Sequence, residues 1–120
     1  MVECGWFFRS FPKLVKAGFG DKVEAFVTRY PPESTNVAKW RAKDLLEMIK
    51  LLGLEDLEPD LRDQEFLPED ENEESPFGYL DASELAEVFE ESQVAKEQVD
   101  MLKVALRYLK GEFTNVSIKA

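Results

Sequence analysis

Lys22-Val23-Glu24-Ala25-Phe26-Val27-Thr28-Arg29-Tyr30 is the stretch on which the fold turns. Read with a helical period, Val23, Phe26, Val27 and Tyr30 recur at i, i+3, i+4 and i+7 and line one face. Read as a strand, the same run is rich in β-formers and short enough to be one. Asp21 stands where it can cap, Glu24 where it can reach back in a capping box, and Pro31-Pro32 breaks the run at its far end. The helix reading is favoured, and it makes the chain mainly α, a compact bundle of four to five helices. The strand reading would make it α+β.

Upstream, Val2 to Phe8 reads as a short strand or an irregular arm across the core. Its three consecutive aromatics, Trp6, Phe7 and Phe8, cannot all point inward. Ser10 before Phe11-Pro12 suggests a short helix over about Phe11 to Ala17, stopped by Gly18. Downstream, Ser34, Thr35 and Asn36 offer caps for a stripe of Val37, Trp40, Leu45, Met48, Ile49 and Leu52 that only Asp44 interrupts. Gly53 ends it, so one amphipathic helix of about four turns is expected.

From Leu54 to Phe77 three prolines divide an acidic stretch. A short helix with Pro59 in its first turn fits the part up to about Glu65, and a solvated, flexible acidic loop fits about 67–76. Asp81 with Glu84 forms a second capping-box pair, and Leu80 with Leu85 occupies the positions of a hydrophobic staple. The apolar phase then weakens at Ser92-Gln93, which predicts either one long kinked helix up to Gly111 or two helices meeting there. The tail Thr114 to Ala120 alternates Val116 and Ile118 and would place a strand beside the Val2–Phe8 arm, a small β pairing of the two termini.

The net charge of -10 is local rather than general. Between Glu55 and Glu91, sixteen acids face a single base, Arg62, so that segment carries -15 and the remainder +5. A concentrated negative field attracts a basic protein, speeds the encounter, and repels nucleic acid and anionic membrane. The bases have one tight group, Lys39, Arg41 and Lys43, which reads as a solvated helix face.

Chemistry is harder to place on this chain. It has no histidine, so the commonest general base and zinc ligand is missing. Cys4 is the single cysteine; it excludes an internal disulfide and reads as a small apolar residue. A calcium-loop frame begun at Asp60 puts Arg62 at its third position and Glu65 where the turn glycine belongs, and so fails. Gly18-Phe19-Gly20 lacks the glycines of a dinucleotide turn and the lysine of a phosphate loop. No enzyme, cofactor or metal is expected.

At 120 residues the chain reads as a single domain, and the apolar run at its start is too short for a signal peptide or a membrane span. A cytoplasmic location is expected. The function expected is non-catalytic: an acidic protein that docks on a basic protein partner, as an inhibitor or immunity-type neutraliser of a toxin or nuclease does. Its candidate partner-binding residues are Glu69, Asp70, Glu71, Glu73 and Glu74 in the loop, Phe77 and Tyr79 as aromatic anchors, and Glu87, Glu90 and Glu91 on the helix that follows. Phe66 is a further anchor candidate. Of the acids, Glu87, Glu90 and Glu91 are expected to be the best held. The alternative is an adaptor or regulatory subunit whose Val37–Leu52 stripe or C-terminal helix packs on another chain.

Overall fold

The computed structural model of the chain describes residues 5–31 and 33–112. Helices follow one another as α1 (Gly5–Ser10), α2 (Pro12–Leu14), α3 (Gly20–Arg29), α4 (Ala42–Leu51), α5 (Glu58–Asp63), α6 (Ala82–Val88) and α7 (Lys96–Leu109). Wide or tight single turns join them: a π turn at Val15–Phe19 and 3-10 turns at Val37–Lys39, Glu55–Leu57 and Pro76–Tyr79. Among the described residues there is no strand, and one isolated antiparallel bridge pairs Arg41 with Glu74. The fold is mainly α.

The deciding stretch is therefore helical, and Val23, Phe26, Val27 and Tyr30 are all buried on one side of α3. Its start differs from expectation. The helix begins at Gly20 with no side-chain cap, which leaves Asp21 inside the first turn. Gly18, at φ +100, makes the bend before it, a backbone position where glycine has no β-carbon to clash.

The N-terminal aromatics form a helix where a strand or arm was expected. On a strand, Trp6 and Phe7 would face opposite sides, whereas neighbours on a helix diverge by only about 100°. Both are buried, and Phe8 takes the outer side at 48 % exposure. The Trp6 ring stacks on Tyr108 at 5.5 Å and 9°, and Tyr108 in turn meets Phe26 at 5.3 Å. Phe26 reaches Tyr30 at 5.6 Å, which reaches Trp40 at 5.2 Å. This run of rings joins α1, α7 and α3 to the turn before α4. The tail half of the expected terminal β pairing, Thr114 to Ala120, lies outside the described residues, as does Cys4.

The predicted Val37–Leu52 helix divides in two. Asn36 caps the Val37–Lys39 turn through Ala38 N–H, then Trp40 and Arg41 become extended before α4 starts at Ala42. The division arises because the Trp40 carbonyl accepts from Ser75 N–H at 3.0 Å, a partner 35 residues away in sequence, in place of the next helical turn. Asp44, the acid that interrupts the apolar stripe, accepts from Arg41 N–H at 2.9 Å and caps α4 from within. At the other end Gly53, at φ +71, lets Leu54 N–H reach the Ile49 carbonyl at 2.8 Å.

Helix α5 carries Pro59 in its first turn, as predicted. The last helical stretch is two helices, separated at Phe89 to Ala95. Ser92, at the predicted weak point, donates its hydroxyl to Asp60 Oδ2 at 2.7 Å and so anchors the break to α5. Among the described residues no helix is long and apolar enough to cross a membrane.

Candidate functional site

The acidic loop is tied to the protein by its main chain. A helix begins with N–H groups that have no partner within the helix. In α4 two of these are satisfied by the loop: Ala42 N–H donates to the Glu73 carbonyl and Lys43 N–H to the Glu71 carbonyl, each at 2.9 Å. The Arg41 guanidinium donates to the Asn72 carbonyl. Asp70 Oδ1 accepts from Asn72 N–H at 2.9 Å and tightens the turn between. Arg41 is thus not merely part of a solvated basic face; it braces the loop.

The loop ends on Ser75, whose side chain is buried. Its hydroxyl donates to the Phe66 carbonyl at 2.5 Å and accepts from Phe77 N–H at 3.2 Å. With its own N–H on Trp40, Ser75 joins the α5 exit, the turn before α4 and the Pro76–Tyr79 turn.

With the carbonyls turned inward, the carboxylates lie outside. Glu69, Asp70, Glu71, Glu73 and Glu74 are all exposed. Among the described residues none of them enters an ion pair. Crowding five acids is unfavourable, but the positive end of the α4 dipole and the Arg41 charge lie directly beneath the loop backbone. That arrangement offsets part of the repulsion.

Between this loop and the end of α5 is a concavity of about 500 Å³ whose charged lining is Glu65, Glu69, Glu73, Glu74 and Arg62. Arg62 is already engaged, its Nε 3.0 Å from Glu58 Oε2. Glu65 is not among the partner-binding candidates that the sequence offered. It has φ +67, and among the described residues it alone is a non-glycine with positive φ. It occupies the left-handed position that closes α5, where Glu65 N–H meets the Arg62 carbonyl at 3.1 Å and Phe66 N–H the Leu61 carbonyl at 2.8 Å. Glycine is the usual occupant there, and a negative charge at a helix C-terminus is also unfavourable. A carboxylate held in that position despite both effects is a signal visible only in the backbone.

The aromatic anchors separate. Phe77 is fully buried and cannot present itself to a partner, because its ring belongs to the core beneath the Pro76–Tyr79 turn. Phe66 is half-buried against the core. Tyr79 is 71 % exposed and lies four residues after Ser75, where the loop ends. Two of the three helix acids are also placed differently from expectation. Glu87 is exposed on α6, but that helix ends at Val88, and Glu90 and Glu91 lie exposed in the turn beyond it. Three acids at a helix C-terminus oppose its dipole, and Phe89 turns into the core to close it. The main chain is tied at both places: the loop to α4 and Arg41, and the Glu90-Glu91 turn through Glu90 N–H on the Glu87 carbonyl at 3.2 Å and the Ser92 hydroxyl on Asp60.

The Asp81 half of the predicted capping box is in place at the start of α6: Glu84 N–H donates to Asp81 Oδ1 at 2.8 Å, and the Ser83 hydroxyl donates to the same oxygen at 2.7 Å. These bonds, the serine first, hold the Asp81 carboxyl below its ordinary range. The apolar stripe that the adaptor alternative would use is occupied within the chain, since Val37, Trp40, Leu45, Met48, Ile49 and Leu52 are all buried. Comparison of the chain with protein-family models, curated proteins and solved structures finds no match.

Proposed function

We propose that this chain is a non-catalytic binding protein whose acidic face docks on a basic protein, in the manner of a small inhibitor or immunity protein that neutralises a toxin or nuclease. The proposed face comprises the concavity of Glu65, Glu69, Glu73 and Glu74 with their sequence neighbours Asp70 and Glu71; exposed Tyr79, four residues after Ser75, is its candidate aromatic anchor. The observation that carries this reading is Glu65, a carboxylate kept at a backbone position that disfavours it and placed against three more that enter no ion pair among the described residues. Strain that persists at one residue is characteristic of a position serving function. A concave group of carboxylates held by main-chain bonds matches lysine or arginine side chains of a partner, and needs little ordering on binding. Tyrosine supplies apolar area at small entropic cost and is common among residues that dominate interfaces.

The test is affinity capture from the native cell with the wild-type chain and with E65Q/E69Q/E73Q/E74Q, at about 50 mM and about 300 mM salt, with identification of what is retained. A strongly basic protein held by the wild type at low salt, weakened at high salt and lost in the variant is the expected result. Retention of the same partner by both chains at both salt levels would overturn the proposal.

A further inference from the structure

The groove between α2, the start of α6 and α7 has a character opposite to that of the acidic face. It encloses about 750 Å³, within the range of roughly 300–1,000 Å³ typical of small-molecule sites. Phe11, Leu14 and Val104 line it; Leu14 and Val104 are buried and Phe11 is half-buried, which gives it an apolar floor. Four bases line it against two acids, Glu97 and Asp100. Lys103 approaches Asp100 at 4.0 Å, and Arg107 meets Glu112 at 3.2 Å. Lys13 and Lys96 enter no ion pair among the described residues, and both are exposed.

Two uncommitted ammonium groups beside an apolar floor match one anionic group carried on an apolar body. A chain of several acids fits less well, because Glu97 and Asp100 would repel its further charges. The acidic face of a second copy is such a chain of acids and meets the same repulsion from Glu97 and Asp100. We propose that this groove binds a small amphipathic carboxylate, its hydrocarbon lying over Phe11, Leu14 and Val104 and its head group paired with Lys13 and Lys96. This site is independent of the acidic face, and its ligand would be a metabolite-sized acid and not a macromolecule.

The test is titration of the full chain with dodecanoate below its micellar concentration, followed by calorimetry and by amide shifts in NMR. A dissociation constant on the order of tens of micromolar is expected, with shifts centred on α2 and α7. K13A/K96A should bind about tenfold more weakly with its melting temperature unchanged, and K13R/K96R should recover binding. The cationic counterpart dodecyltrimethylammonium should bind at least about tenfold more weakly than dodecanoate to the wild type. Equal binding of dodecanoate by wild type and K13A/K96A, equal binding of the two surfactants, or no binding up to the solubility limit would each overturn the proposal. Tighter binding of an acidic hexapeptide than of dodecanoate at the same residues would also overturn it, in favour of a protein occupant.

Discussion

Gly78 lies against the main chain of Val37 and Ala38 so closely that a β-carbon on it would sit 2.7 Å from the Ala38 Cα and closer still to the Val37 carbonyl. Two 3-10 turns, Val37–Lys39 and Pro76–Tyr79, thereby pack backbone on backbone. One side of the acidic segment is fixed by this contact and the other by the first turn of α4. Tyr79, next to Gly78, owes its place on the surface to the same seat.

Replacing Gly78 with alanine should destabilise the protein by about 3 kcal/mol, at the upper end of overpacking costs, because the opposing atoms are main chain and cannot rotate away. A melt followed by circular dichroism should fall by about 10 °C. An unchanged melting temperature would mean that the two turns are not in contact.

How much of this was legible in the sequence depended on whether a side chain or the main chain did the work. The face of Val23, Phe26, Val27 and Tyr30, the cap at Asp81 and the proline at the start of α5 are side-chain patterns, and each appears where the residues placed it. The break at Trp40 was hidden because Trp40 is buried whether or not the helix continues through it, and the bond that ends the helix comes from Ser75. The loop was hidden for the same reason. Glu69 to Glu74 reads as a solvated run because its side chains are solvated, while the carbonyls that tie it down carry no residue identity. The acidic loop was therefore legible in outline, but how its main chain is tied down required the backbone.

Exchanging Glu65 for glycine should separate stability from binding. Glycine removes the left-handed strain and takes a negative charge away from the α5 C-terminus, which together should stabilise the fold by about 1 kcal/mol after the entropy of the added flexibility is subtracted. Urea denaturation reads this as a higher midpoint with an unchanged slope. The same variant should bind a basic partner more weakly. A loss of stability would show that the Glu65 carboxylate contributes to the fold, which would remove the argument that function retains it.

The Tyr30 hydroxyl is buried without a hydrogen-bond partner among the described residues, and burial also pushes its ionisation upward. A buried hydroxyl that makes no bond costs more than it returns, so Tyr30→Phe should be neutral or stabilising by about 1 kcal/mol. The ring contacts with Phe26 and Trp40 do not involve the hydroxyl and should survive. Destabilisation beyond about 1 kcal/mol in thermal or urea melts would reveal a partner for that oxygen, such as a bound water.

The Asp81 cap gives a pH dependence whose sign is fixed by its hydrogen bonds. Ser83 and Glu84 N–H favour the charged form, so the folded-state carboxyl titrates below the ordinary value of about 4 that it has in the unfolded chain. Stability from this group is fully present above that ordinary value and is lost as pH falls through the lower folded one. Other acids titrate in the same range, so the informative quantity is the difference between wild type and Asp81→Ala. The gap in melting temperature should be constant from about pH 7 to about pH 5 and should narrow below about pH 4. A gap that stays flat or widens in acid would mean that the cap acts through its neutral form and that the charge on Asp81 contributes nothing to holding α6.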